Sequence, residues 1–471
     1  MAVGAHAVDR LRSRLEPLAA GLGLIALGGV VGVLSGRSEE GVRGFIVGPA
    51  ILVLVLTLVF RAVRSHPERR RLLPIVRFGV ALRIFSAVVH LLVGFVVYRG
   101  AVDFVGYQDL AGTWIDQFLP KLDPYASGKL RYDHFDQGSW ANYVTVVFVA
   151  ALRILVGPVG QPHTGLVSAQ FLGLFMVTAA AGTVAAWLFY RAYEIACPGA
   201  KGRRFVALTI FLLPTVGFWS ILLGKDVLVF FWLSVASYSV ARILVAVAVR
   251  DVVTLGVALG FLLLVRAPVG VGVLLAVTMA IILRPLHWHD DDAWLKPVQR
   301  VVVVIGSVYG FYVMGTEALL RFGVAEFTLE ALADRAALQH QGFAATEGGG
   351  QLESAIASSD PASVARYLPF GMVTLLFRPF PWEAHNALAV AAGIESMFFI
   401  TLLAVRLPAL GRSVRAMFRS PFLVYVGVAF LMTTVALSFQ WNLGAAARLR
   451  AMALPFLLLL MADPTPESRE T

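Results

Sequence analysis

The chain has 471 residues, of which 58% are hydrophobic and 14% are charged, and its mean hydropathy is +0.78. This composition excludes an ordinary soluble domain. The net charge of +10 does not indicate nucleic-acid binding, because the arginines cluster in short segments beside apolar runs rather than in a basic domain. The single cysteine, Cys197, excludes an intramolecular disulfide framework and any cysteine-based metal cluster.

Apolar runs recur along the whole chain, and most have the length that a helix needs to cross a membrane, roughly 17 to 25 residues. The first run, residues 17–35, follows Arg10, Arg12 and Arg14 and lacks a convincing small-residue cleavage site, so it predicts a retained helix rather than a signal peptide. We therefore expect an all-α, polytopic integral membrane protein with about twelve transmembrane helices.

Basic segments predict which helix ends face the cytoplasm, since short cytoplasmic loops carry an excess of Lys and Arg. Three such segments stand out: Arg61, Arg64, Arg69, Arg70 and Arg71; Lys201, Arg203 and Arg204; and Arg406, Arg412, Arg415 and Arg419. With these segments inside, both termini are cytoplasmic, and residues 99–140 and 321–385 form two extracytoplasmic loops that carry short amphipathic helices. The predicted location is the plasma membrane, with a site that faces outside.

Residues 142–157 and 165–190 are both apolar, yet the basic segments on either side allow only one crossing. The first stretch is short, carries Arg153 in its middle and ends in Gly157-Pro158. It therefore fits a re-entrant or interfacial helix, and the second stretch fits the crossing.

This pattern divides the chain into five segments. Residues 1–74 comprise two N-terminal helices and a basic cytoplasmic loop, and residues 75–320 comprise the membrane core with the first extracytoplasmic loop. The large loop, residues 321–385, separates this core from the C-terminal helices of residues 386–461. The polar residues 462–471 are expected to form a disordered tail.

The first extracytoplasmic loop mixes acidic and aromatic residues, among them Asp103, Tyr107, Asp109 and Trp140. Carboxylates accept hydrogen bonds from sugar hydroxyls, and aromatic rings stack on the apolar faces of sugars. Asp103 and Asp109 are six residues apart, so a helix would not place them on one face and they need not bind one ligand. The alternative is that both are ordinary residues of the membrane interface.

The motif Gly224-Lys225-Asp226 separates two long apolar runs, residues 205–223 and 227–249, which places both charges at the outer edge of the membrane. Lys225 could neutralise a phosphate, and Asp226 could orient it or accept a proton from an acceptor hydroxyl. The alternative is a lysine that extends from a hairpin toward the interface.

Three arginines are expected on the same outer side: Arg266, Arg448 and Arg450. Positive charge there opposes the usual bias toward the cytoplasm, and an anionic ligand is the simplest reason for it. A guanidinium is well suited to bidentate phosphate binding. Arg448 and Arg450, together with Asn442, are expected to precede the last apolar run at the same level.

The large loop ends in the segment Arg378–Glu383, which two prolines make rigid. This segment fits either a packed lid or an aromatic membrane anchor. Glu395 lies within the apolar run that follows, where we expect it to be buried against another helix.

These motifs give the chain a resemblance to a group of multispanning envelope and exopolysaccharide proteins. More remotely, the outward helix that leads to Asp103 and the long acidic-aromatic loop resemble the GT-C class of polyprenyl-phosphate-sugar glycosyltransferases. The Lys-Asp turn and the late arginine pair are also similar to O-antigen-polymerase-like proteins. The resembling pieces are Gly138-Ser139-Trp140 to Pro158, Gly224-Lys225-Asp226, Arg378 to Glu383, and Asn442-x-Gly444 to Arg448-x-Arg450 to Pro455.

The resemblance implies a membrane-embedded, GT-C-like glycosyltransferase that uses a polyprenyl-phosphate-linked sugar at the extracytoplasmic face, for envelope or exopolysaccharide assembly. Its partners would be that donor, a glycan or lipid acceptor and membrane lipid, but no nucleic acid. Asp103 or Asp226 would be the catalytic base. No cofactor follows with certainty, a divalent metal stays open, and no residue is assigned as a metal ligand. The substrate-binding candidates are Lys225, Arg266, Arg448, Arg450, Asn442, Asp109, Tyr107, Trp140 and Arg378.

Three alternatives stay open. A lipid-linked polysaccharide polymerase would use similar residues. A lipid-linked sugar transporter or flippase should have charges or broken helices near the middle of the membrane in both halves of the chain. The candidates for such charges are Arg77, Arg83, His90, Arg153 and Glu395. The third alternative is a non-catalytic assembly protein.

Overall fold

The computed structural model describes residues 39–99, 102–118, 140–156, 169–283, 360–384, 387–439 and 443–467, together with isolated positions between 305 and 337. The predicted first span, residues 17–35, lies outside this part of the chain. So do most of residues 301–320 and most of the two predicted loops.

Regular structure in the described residues is helical throughout. A π-helical turn, Val93–Val97, extends the second helix, and a 3-10 turn, Pro381–Glu383, follows the eleventh. The helices are α1 (Glu39–Arg64), α2 (Arg69–Leu92), α3 (Asp103–Phe118), α4 (Trp140–Val156), α5 (Ala169–Ala196), α6 (Arg203–Leu212), α7 (Pro214–Trp219), α8 (Lys225–Val245), α9 (Val249–Val265), α10 (Ala267–Ile282), α11 (Pro361–Phe377), α12 (Ala387–Met417), α13 (Pro421–Leu437) and α14 (Leu443–Leu460).

Six helical segments of the described part are long and apolar enough to cross a membrane. The prediction of a helical, membrane-embedded protein is confirmed. The stretch predicted to be re-entrant or interfacial forms the shorter apolar helix α4, and its relation to the membrane stays a prediction. The six segments are Ile46–Arg64, Arg69–Val97, Phe171–Ala196, Lys225–Val245, Ala389–Met417 and Leu443–Leu460.

The apolar run at residues 205–223 was expected to cross as one helix, but it is broken in the structure. Helix α6 ends at Leu212, Leu213 is extended with φ −63° and ψ 121°, and α7 begins at Pro214. Proline lacks the backbone N–H that a continuous helix requires, and its ring disfavours helical geometry at the preceding residue. Pro214 therefore accounts for the break.

The chain forms two compact units. Unit 1 comprises Met1–Trp187 and Gly217–Phe231, and unit 2 comprises Leu188–Val216 and Trp232–Thr471.

In unit 1, helices α1 and α5 approach closely at a pair of glycines. A Cβ at Gly48 would lie 2.5 Å from the Cα of Gly173, so only glycine fits at this crossing. Elsewhere in the unit, the rings of Phe95, Phe104 and Phe171 meet edge to face, with centroids 5.3 to 6.0 Å apart. Such contacts add specific geometry to the apolar packing.

In unit 2, α10 packs against α13, and α13 packs against α14. The α10–α13 contact is close at Gly272, where a Cβ would lie 2.7 Å from the Cβ of Met432. The ring of Trp232 on α8 stacks on Phe261 of α9 at a centroid distance of 4.5 Å. Helix α11, which lies in the segment assigned to the large loop, packs against α12, α13 and α14.

The structure differs from the expected disordered tail at residues 462–467, which are attached to the segment after α5. The N–H of Lys201 donates to the Thr465 carbonyl at 2.9 Å, and the N–H of Glu467 donates to the Gly199 carbonyl at 2.8 Å. Burial alone would raise the pKa of Asp463, but hydrogen bonds from Thr465 and Arg412 outweigh it and lower the pKa below its usual value. These backbone hydrogen bonds order a polar segment whose composition alone predicts disorder.

The Gly48–Gly173 crossing yields a stability prediction. Gly48→Ala should lower the thermal unfolding midpoint of the detergent-solubilised protein, because the added methyl forces α1 and α5 apart at a cost of about 1–3 kcal/mol. Gly256→Ala is the control, since a Cβ at Gly256 meets nothing within 4 Å. Equal midpoints for both variants would contradict the close α1–α5 crossing.

Candidate functional site

Helix α3 of unit 1 begins at Asp103 and carries two exposed carboxylates. Asp103 and Asp109 are exposed, Tyr107 is half-buried, and Phe104 and Gln108 are buried. Six residues at 3.6 per turn place the two carboxylates about 120° apart around the helix. They therefore lie on different parts of its outer surface, in agreement with the expectation that they need not bind one ligand.

Arg153 on α4 fixes the position of α3. Its side chain is buried, and Nη1 donates to the carbonyl oxygen of Gln108 at 3.1 Å. Gly112 makes room for the guanidinium, because a Cβ there would collide with Nη1. A buried cation in an apolar helix is costly unless its donors find acceptors. The α3–α4 contact thus explains how α4 tolerates an arginine.

The motif Gly224-Lys225-Asp226 forms the start of α8, and Tyr107 of α3 packs against it. Gly224 has a φ of +139°, which favours glycine, and a Cβ there would lie 3.0 Å from two ring carbons of Tyr107. Lys225 is half-buried, whereas Asp226 in the first turn is 2% exposed. The positive end of the helix dipole also favours a carboxylate at this position. Unit 1 therefore joins the acidic-aromatic helix α3 to the Lys-Asp motif.

The three outer arginines of the sequence analysis belong to unit 2. Arg266 separates α9 from α10, and its Nη1 lies 3.3 Å from the Sδ of Met452 on α14. Arg448 is half-buried and Arg450 is buried, and both lie inside α14 rather than before it. The surrounding alanine, leucine and methionine residues are strong helix formers, so the helix continues through both arginines.

Arg450 lies near the middle of α14 and pairs with Glu395 of α12. Its Nη2 lies 3.3 Å from Glu395 Oε2 and donates to Thr215 Oγ1 at 3.1 Å, while Nη1 donates to Ser396 Oγ at 2.7 Å. Glu395 also accepts hydrogen bonds from the Thr215 hydroxyl and, at 2.6 Å, from the Thr215 backbone N–H. We call these four residues the Arg450 cluster. It joins α7, α12 and α14 inside unit 2.

Arg378 forms an ion pair within its own segment. Its Nε donates to Glu383 Oε2 at 3.1 Å, its Nη2 contacts the other carboxylate oxygen, and the Phe380 N–H donates to Oε2 at 2.8 Å. These bonds fold the segment into a compact turn after α11. Trp382 at its tip is 74% exposed, as an interfacial aromatic anchor requires.

Asn442 and the side chain of Trp140 lie outside the described residues, so their roles stay predictions. In the described part of the chain, no group of three His, Cys, Asp or Glu side chains could hold a metal ion.

The sequence analysis missed Thr215 and Ser396 and did not identify a partner for Glu395. Two signals were present: a carboxylate in an apolar run needs a partner, and Pro214 interrupts a helix next to Thr215. Neither signal says which distant residue completes the pair, since the spacing of residues along the chain does not encode contacts between α7, α12 and α14.

Comparison of the chain with protein-family models, with curated proteins and with solved structures found no match. The observations that bear on function are therefore the contact of α3 with the Gly224-Lys225-Asp226 motif in unit 1 and the Arg450 cluster in unit 2.

The Arg153 contact predicts non-additive effects of two substitutions. Gly112→Ala should lower the thermal midpoint, because its methyl displaces the Arg153 guanidinium, at a cost of about 1–3 kcal/mol. In an Arg153→Met background, Gly112→Ala should lower the thermal midpoint less, since the guanidinium that its methyl group displaces is gone. A double-mutant cycle on the unfolding midpoints measures this coupling. Additive effects would contradict the contact.

Proposed function

We propose that the chain is a GT-C-like glycosyltransferase that transfers sugar from a polyprenyl-phosphate carrier at the extracytoplasmic face of the plasma membrane. The packing of Tyr107 against Gly224 carries the proposal, because it joins the carboxylates of α3 to a lysine and a carboxylate at the start of α8. The predicted topology of about twelve crossings, with both termini cytoplasmic, belongs to the same proposal. Its physiological role would be envelope or exopolysaccharide assembly.

Asp103 is the better candidate for the catalytic base. It is exposed at the first turn of α3, where an acceptor hydroxyl can reach it from water, whereas Asp226 is buried. The base takes the hydroxyl proton while the acceptor oxygen forms a bond to the anomeric carbon. The bond from that carbon to the phosphate oxygen breaks, and polyprenyl phosphate leaves as an anion. Asp226 would then orient Lys225.

Cations would stabilise the phosphate as negative charge develops on it during bond breaking. In unit 1 this role falls to Lys225, which is half-buried beside the Tyr107 ring contact. Arg266 and Arg448 belong to unit 2, where they are half-buried and can expose part of a guanidinium, so they are proposed as phosphate-binding residues of that unit.

A specific observation favours transport of a lipid-linked sugar as the second candidate. The Glu395–Arg450 pair lies within apolar helices and next to the break between α6 and α7. Transporters often combine a broken helix with intramembrane charges. A transporter would move the lipid across the bilayer without a bond to the acceptor being made, so the two functions differ in their product.

The transferase proposal predicts a large effect at Asp103. The wild-type protein in nanodiscs is incubated with radiolabelled undecaprenyl-phosphate sugars, such as glucose, galactose and mannose, and with envelope glycan as acceptor. Asp103→Asn should lower the rate of label transfer by about 10²- to 10⁴-fold, the usual contribution of a general base. Lys225→Gln should weaken donor use because it removes the phosphate-binding charge.

The control is Glu467→Gln, because Glu467 is a carboxylate whose side chain is 56% exposed and which lies in the C-terminal segment. This variant should transfer sugar at the wild-type rate. Full activity in both Asp103→Asn and Asp226→Asn would contradict a carboxylate base. Movement of the labelled lipid across the liposome membrane, without transfer of sugar to the acceptor, would favour the transporter.

A further inference from the structure

The Arg450 cluster leaves its cation incompletely satisfied. A guanidinium offers five N–H donors and binds a carboxylate best through two parallel hydrogen bonds. Arg450 instead meets Glu395 through one contact of 3.3 Å, and within the described part of the chain its buried Nε has no acceptor. The side chain is 2% exposed, so water supplies little compensation.

The hydrogen-bond donors that surround the Glu395 carboxylate would equally suit a phosphate. It receives the backbone N–H and hydroxyl of Thr215, and Arg450 stands on its other side. Ser396 holds the guanidinium in place, because its Oγ accepts from Arg450 Nη1 while its own hydroxyl donates to the Ala392 carbonyl at 2.9 Å. A carboxylate has two oxygens, whereas a phosphate monoester has three free ones, so a phosphate can engage more of these donors at once.

The helix that carries Glu395 is accessible from the membrane side. Only 17% of the apolar window of Ala389–Met417 is buried, compared with 83% for Leu443–Leu460. Ile394 and Phe398, close to Glu395 along α12, are exposed. A lipid can therefore lie against the outer face of α12, where the Glu395 side chain itself is 13% exposed.

We propose that Glu395 occupies, in the ligand-free chain, a phosphate-binding site formed by Arg450, Thr215 and Ser396, and that the phosphate headgroup of a membrane lipid displaces it. The inference rests on the proposed function for the identity of that lipid, a polyprenyl phosphate. Glu395 is thus an internal competitor of the ligand, and the two substitutions that break the ion pair have opposite effects on binding.

The test measures lipid affinity by native mass spectrometry, which counts bound lipids on the folded protein. Undecaprenyl phosphate is titrated into the wild type, Glu395→Gln and Arg450→Gln. Glu395→Gln keeps the shape of the side chain but removes its charge, and should tighten binding about tenfold. Arg450→Gln should weaken binding at least about tenfold. Arg450→Lys keeps the positive charge but loses the planar guanidinium with its paired donors. Its affinity for undecaprenyl phosphate should therefore lie between those of the wild type and Arg450→Gln.

Three controls identify the ligand. Undecaprenol, which lacks the phosphate, should bind weakly to every variant. Inorganic phosphate should bind much more weakly than the lipid, and equal affinity would overturn the assignment to a lipid headgroup. Glu467→Gln, which removes an exposed carboxylate away from the cluster, should leave the affinity for undecaprenyl phosphate unchanged.

A purely structural ion pair gives a different result. Both Glu395→Gln and Arg450→Gln would then lower the unfolding midpoint and leave lipid affinity unchanged in the folded fraction, which would overturn the inference. If the wild type still transfers sugar in that case, the proposed function stands and only this inference fails. If the wild type neither binds undecaprenyl phosphate nor transfers sugar, both fail.

Discussion

A charge inside an apolar helix must find a partner, and this constraint governs the Arg153 contact in unit 1 and the Arg450 cluster in unit 2. Moving an ion out of water costs far more than a single weak contact returns, so buried charges in membrane proteins are paired or bind ligands. Arg153 meets the Gln108 carbonyl in unit 1, and Arg450 meets Glu395 in unit 2. Each partner lies on a different helix, so satisfying the charge also fixes how helices pack.

Small residues make these close approaches possible. Gly112 leaves space for the Arg153 guanidinium, and Gly224 leaves space for the Tyr107 ring. Leu213 and Pro214 have a comparable effect on the backbone, since the break between α6 and α7 leaves the Thr215 N–H for a side-chain acceptor. Positions without polar side chains therefore help to determine where the polar groups can meet.

The sequence predicts well what depends on local chemistry. Apolar run lengths predicted a helical membrane protein, and the charged start of α8 follows directly from the Gly224-Lys225-Asp226 motif. It predicts less well where the outcome depends on distant partners. Arg448 and Arg450 were expected to precede the last apolar run, and the contact with Glu395 on α12 explains how Arg450 is accommodated inside α14.

The same reasoning explains the difference at the C-terminus. Residues 462–471 are polar and were expected to be disordered, but backbone hydrogen bonds with residues 199 and 201 order the described part of this segment, which ends at residue 467. Such bonds depend on carbonyl and N–H groups that every residue carries, so composition does not reveal them. The proposed roles of Asp103 and Lys225 rest on chemistry that the sequence does show, and they are decided by activity.

The most direct test of the account is a pair of cryo-EM maps of the wild-type protein in nanodiscs, with and without undecaprenyl phosphate. We predict phosphate density against the Arg450 guanidinium in the map with undecaprenyl phosphate. In that map the Glu395 carboxylate should no longer accept hydrogen bonds from Thr215. The unloaded map should keep the Glu395–Arg450 pair. An unchanged pair in both maps, with no lipid phosphate beside Arg450, would contradict it.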